Sequence, residues 1–111
     1  MSDELLALEN AATELREQGK HQEAAEKLQQ ILAQDESFVR AHLALAVAYH
    51  HLQDYDQAIK HAERAVELEP NEPFNYSALS ITYKRALDHT RDPTLIEKAE
   101  LAMERGRMAG Q

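Results

Sequence analysis

The sequence predicts an all-α fold of antiparallel helix pairs stacked side by side, and three observations predict it. Composition comes first: Ala (18) and Leu (14) dominate the apolar residues of this 111-residue chain, whereas Val and Ile together number 7. That bias favours helix over strand. Second, apolar residues recur at steps of three and four along most of the chain, the signature of amphipathic helices. Third, the chain matches itself at a shift of 34. Leu8, His42 and Tyr76 fall in register, as do Ala11, Leu45 and Leu79, and Leu15, Tyr49 and Tyr83. His21/Tyr55, Ala24/Ala58, Leu28/Ala62 and Ile31/Ala65 align in the second half of the period, and Ile96-x2-Ala99-x3-Met103-x2-Gly106 repeats that half seven residues late. A period of this length is the mark of a repeat architecture.

Six helices follow in order, over 3–18, 21–34, 38–51, 55–68, 73–88 and 93–108. Leu5, Leu8, Ala11, Ala12 and Leu15 form the apolar stripe of the first, which Ser2 caps and Gly19 ends in the left-handed conformation. Ala24, Leu28, Ile31 and Leu32 carry the second, and the third takes Leu45, Ala46 and Tyr49. Asp54-x-x-Gln57 reads as a capping box for the fourth, whose stripe is Ala58, Ala62, Ala65 and Val66. Glu69-Pro70-Asn71-Glu72-Pro73 stops that helix and opens the fifth, with Asn71 as cap and Pro73 in the first turn. Asp92-Pro93 repeats the start signal for the sixth. The seven extra residues either lengthen the fifth helix by a turn or project His89-Thr90-Arg91-Asp92 as a loop.

These residues resemble the tetratricopeptide repeat family. Leu45-Ala46-x2-Tyr49, then Tyr55-x2-Ala58-x6-Ala65 and Pro70, follow the family's pattern most closely. The run 54–59 is similar to its inter-helix turn and 65–70 to its repeat end. The resemblance implies a right-handed αα superhelix of about three helix pairs, here one domain over 1–111. Its repeats span about 5–38, 39–72 and 73–108, with an insertion near 87–93 and no separate C-terminal capping helix. Small residues at 12, 24, 46, 58 and 99 let helices approach closely, and neighbouring pairs bury one another's apolar faces.

The resemblance also implies a non-enzymatic adaptor that binds a peptide or helix of a partner protein on the concave side. The resemblance, with helical spacing, implies that Leu6, Glu9, Thr13, Arg16 and Glu17 lie there, with Arg40, Leu43, Val47, His50 and His51 from the third helix. The fifth contributes Phe74, Ser77, Ile81, Lys84 and Arg85. Arg16, Arg40, Lys84 and Arg85 against Glu9 and Glu17 make this groove locally +2 on a protein of net charge −8. It suits an apolar segment bearing acidic residues. Family members that clamp acidic chaperone tails do so with Lys, Asn and Arg. The matching positions here are Glu9, Thr13, Ala44, Phe74 and Ala78, so that use is not expected.

Other chemistries are disfavoured. The chain has no Cys, and Gly19, Gly106 and Gly110 make no phosphate-cradling loop. None of the six His are spaced i, i+4, His42 takes an aromatic packing position, and no metal or cofactor is expected. His50 and His51 could make the groove pH-sensitive. Ser77, Ser80 and Thr82 lie mid-helix without a base, and catalysis is not expected. The acidic balance disfavours nucleic acid as partner. An acidic start and the lack of a long apolar run predict a cytoplasmic protein without membrane contact. With no room for a seventh helix, Leu95, Leu101, Ala102 and Met108 are expected to be partly exposed. That is the basis of an alternative function, a scaffold that homo-oligomerises through its last helix.

Overall fold

The structure, a computed structural model, describes residues 2–111. Six helices and no strand occur among the described residues: α1 (Asp3–Glu17), α2 (His21–Gln34), α3 (Val39–His51), α4 (Tyr55–Leu68), α5 (Pro73–Thr90) and α6 (Thr94–Ala109). They pack as the pairs α1–α2, α3–α4 and α5–α6, and each pair leans on the next through α2–α3 and α4–α5. The molecule measures 39 × 33 × 20 Å. Its least dimension is two helix diameters of about 10 Å, so α1, α3 and α5 form one layer and α2, α4 and α6 the other.

Local chemistry sets the helix ends. Ser2 Oγ accepts from the Leu5 N–H at 3.1 Å, and Asp54 accepts from the Gln57 N–H at 3.2 Å. Gly19 ends the α1 turn at φ +77°. The expected cap of α5 is corrected by one residue: Pro73 occupies the first helical position, so Glu72, not Asn71, is the cap and accepts from the Phe74 N–H. The insertion lengthens α5 to Thr90, and Arg91 then closes it at φ +62°. Asp92 accepts from the Thr94 N–H and starts α6.

Alanine fills the helix crossings. Ala58, Ala62, Ala65 and Ala86 are completely buried, and Ile31 and Leu45 pin the joint between the first two pairs. Ala46, Ala62, Leu79 and Tyr83 join the last two pairs in a second cluster with Leu95, Ala99 and Ala102. This corrects the expectation for α6. Leu95 and Ala102 share the Ala99 stripe and are buried against α5, whereas Leu101 and Met108 lie on other faces and are exposed.

The 34-residue period reappears as equivalent hydrogen bonds. Gln29 donates to the Tyr49 hydroxyl at 3.1 Å, and 34 residues on the Tyr83 hydroxyl donates to Glu63 at 2.6 Å. Burial first, and then the Glu63 carboxylate, raise the Tyr83 phenol well above its ordinary range. The Tyr76 hydroxyl donates to the Pro70 carbonyl at 2.8 Å. His42, 34 residues earlier, makes the same tie with its Nε2 to the Glu36 carbonyl at 2.8 Å. Ring position and turn therefore repeat together.

Candidate functional site

Because successive pairs touch mainly through α2–α3 and α4–α5, the α1/α3/α5 layer is left open along its outer side. A hollow of about 300 Å³ lies between α1 and α3. Ala12, Ala24 and Leu28 are its buried floor, and Leu43 and Val47 its half-buried apolar wall. Glu9, Thr13, Arg16 and Arg40 stand at the rim. Small side chains on α1 and α2 make this space.

One ion pair spans the hollow. Arg40 donates from Nε to Glu9 Oε2 at 2.7 Å and from Nη2 to Oε1 at 3.0 Å, a two-pronged bridge from α3 to α1. Its hydrogen bond holds the Glu9 carboxyl below the usual range. The same guanidinium lies 4.8 Å from the Phe38 ring centroid. Glu9 and Arg40 thus offset one another, which leaves Arg16 and Arg85 as the cations of this face. Neighbouring positions 31 apart in sequence gave no sign of this bridge.

Beyond Arg40 and Leu43 the surface opens into a second depression of about 600 Å³. Phe38, Val39 and Phe74 line it beside Asp35, Glu69 and Glu72. Phe74 is 63% exposed and Ile81 47% exposed, unusual for side chains of that size. Leu43, Val47 and Phe74 thus border two adjoining spaces. Ser77 and Lys84 are placed elsewhere. Ser77 lines a small depression with Pro73, Met103, Gly106 and Arg107, and Lys84 Nζ reaches Met103 Sδ at 3.5 Å. Both therefore turn toward α6.

At the other edge, four of the histidines join a row of rings. His51 stacks on His21 with centroids 4.1 Å apart and planes 10° from parallel. His50 packs near His51 and Tyr55, and Tyr55 in turn meets His89 at 4.7 Å. Burial first, then the Arg85 charge, lowers the His50 imidazole's pKa. Burial, His21 and Arg85 do the same to His51. Burial and the nearby cation thus disfavour charge on both rings. No group of His, Asp or Glu suited to a metal ion occurs among the described residues, and none of their helices is long and apolar enough to cross a membrane.

A family model described as "Tetratricopeptide repeat" matches residues 10–73. The rhomboid protease GluP of Bacillus subtilis (strain 168) is 36% identical over 77 residues, covering 69% of this chain. The chain spans only 15% of the length of that curated relative. Among solved structures, the second TPR of Spaghetti (RPAP3), bound to the HSP90 peptide SRMEEVD, superposes with a TM-score of 0.77 at 18% identity, covering 96% of this chain and 93% of that one. The Yersinia enterocolitica type III secretion translocator chaperone SycD gives a TM-score of 0.66 at 18% identity, covering 97% of this chain and 95% of its own. At such identities the likeness is one of fold.

Proposed function

The chain belongs to the tetratricopeptide repeat family, and from that premise we propose that it is a non-enzymatic adaptor whose concave groove binds a segment of another protein. The observation that carries this reading is the open hollow between α1 and α3, apolar on its floor and charged at its rim. A space of about 300 Å³ suits one or two large apolar side chains of a partner. Arg16 beside it and Arg85 further along favour acidic residues on the same segment. The solved relative bound to SRMEEVD shows the fold holding an acid-bearing peptide. Glu9, Thr13, Ala44, Phe74 and Ala78 supply none of the Lys, Asn or Arg of the tail clamp, so the segment is of another kind.

The test compares captured partners from lysate across variants, then measures affinity for the partner segment that is identified. Val47→Glu in the hollow should lose the partner, and Arg85→Glu further along the groove should weaken it. Lys60→Glu, on the opposite layer, should keep it. Salt should weaken wild-type binding more than that of Arg85→Glu. A partner held equally by all four proteins would place binding off the groove.

A second reading, homo-oligomerisation through α6, is supported by Ile96, Leu101, Met103 and Met108, each at least 45% exposed. Light scattering over a hundred-fold concentration range decides it, since a constant monomer mass removes self-assembly.

A further inference from the structure

Inside the second helix pair, beside the 35–38 turn that leads in from the first, lies a buried pair of imidazoles that the groove does not use. His42 on α3 is 3% exposed and His61 on α4 is 6% exposed. Their Nδ1 atoms lie 3.0 Å apart. The repeat fixes which nitrogen carries hydrogen. His42 Nε2 points at the Glu36 carbonyl as the Tyr76 hydroxyl points at the Pro70 carbonyl, and a carbonyl only accepts. His42 is therefore protonated at Nε2, and in its neutral form its Nδ1 is a bare acceptor. His61 must then donate its Nδ1–H to it.

One added proton fits this arrangement. Taken up at His61 Nε2, it lets the shared Nδ1 proton pass to His42, which is then charged and donates to the bare Nδ1 of a neutral His61. The Glu36 carboxylate, 3.2 Å from His42 Nε2, favours charge on that side. A second added proton does not fit, because two N–H groups would face each other across 3.0 Å. The remaining groups do not relieve that conflict. Arg64 engages Glu36 at 2.7 Å and Glu67 at 3.5 Å, and Lys60 adds repulsion at His61. Glu63, on the same hollow, is bonded to Tyr83. From α3, the Tyr49 ring covers His61 at 5.8 Å, and α2 presents the uncharged Gln29 and Leu32.

We propose that His42 and His61 form a one-proton site that holds the 35–38 turn closed, and that a second proton parts the rings and opens the α3–α4 contact beside that turn. The released elements are the Glu36 turn, tied to His42, and the α3–α4 packing that the two rings bridge. His61's imidazole, pushed down to about 4 chiefly by burial and then by His42, is consistent with this.

The experiment follows the imidazole nitrogens by long-range ¹⁵N–¹H NMR from pH 8 to pH 3.5, with amide exchange read alongside. The two rings should take up one proton between them while the fold persists. Uptake of the second should coincide with lost protection at the Phe38 and Ala41 amides, which donate across the turn. His42→Tyr reproduces the Tyr76 tie without a facing base, so His61 should then gain its proton at higher pH than the wild-type second step. Two protons taken up with the turn amides still protected would overturn the proposal. So would a second step unmoved in His42→Tyr.

Discussion

A Cβ added to Gly106 would lie 2.9 Å from the Cβ of Tyr76, an atom fixed to the α5 backbone that cannot swing aside. Gly106→Ala gains about 1 kcal/mol of helix propensity but must push α6 off α5, at a cost of about 1–3 kcal/mol. The expected net result is a lower urea midpoint. Gly19 differs: nothing lies within 4 Å of its added Cβ, and its φ of +77° is the whole difficulty. Gly19→Ala should cost roughly 1 kcal/mol from backbone strain alone. His61 gives a third prediction at this scale. The fold holds its imidazole near 4, below the 6.5 of an unconstrained ring, so the unfolded chain binds more protons in that interval. Stability should thus be full above pH 6.5 and fall as pH drops toward 4. Urea midpoints across that interval should fall less in His61→Gln.

At the scale of elements, buried ties to turn carbonyls hold the helices in place. Asn75, 1% exposed at the start of α5, donates to the Ala65 and Glu69 carbonyls at 3.3 Å each and so joins the end of α4 to the next helix. Asn75→Ala should cost about 1–3 kcal/mol, from lost hydrogen bonds and a small cavity. Thermal melting would register it, and amide exchange should show the loss first at the α4–α5 turn. Helix positions were legible because periodicity and caps are local properties: Ser2, Gly19 and Asp54 act where their chemistry says they should. Asn71 is displaced as the cap because Pro73 takes the first helical position itself, which makes Glu72 the cap. Leu95 and Ala102 were misplaced because the late start of α6 hides which of its stripes faces α5. Asn75 had no local signal, since its partners lie across a turn.

At the scale of the whole molecule, the repeat register was legible and the cross-groove contacts were not. Tyr49 and Tyr83 repeat one another's bonds because a fixed period imposes a fixed packing geometry. The meeting of Glu9 with Arg40 depends instead on how far one pair rotates from the next, a sum over many packed alanines that no short motif encodes. That bridge changes how the groove must be probed. Reversing Arg40 would break an internal pair as well as any partner contact, so lost binding would have two causes. A double-mutant cycle with Glu9→Gln and Arg40→Gln separates them. The side chains are 23% and 61% exposed, so their coupling should be about 0.5 kcal/mol in stability and should shrink in salt. On the adaptor reading, Arg40→Gln should weaken partner binding even in the Glu9→Gln background, where the bridge to α1 is already gone. Equal affinity of Glu9→Gln and the double variant would assign Arg40 to bridging α1 and α3 alone, leaving Arg16 and Arg85 as the cations that meet the ligand.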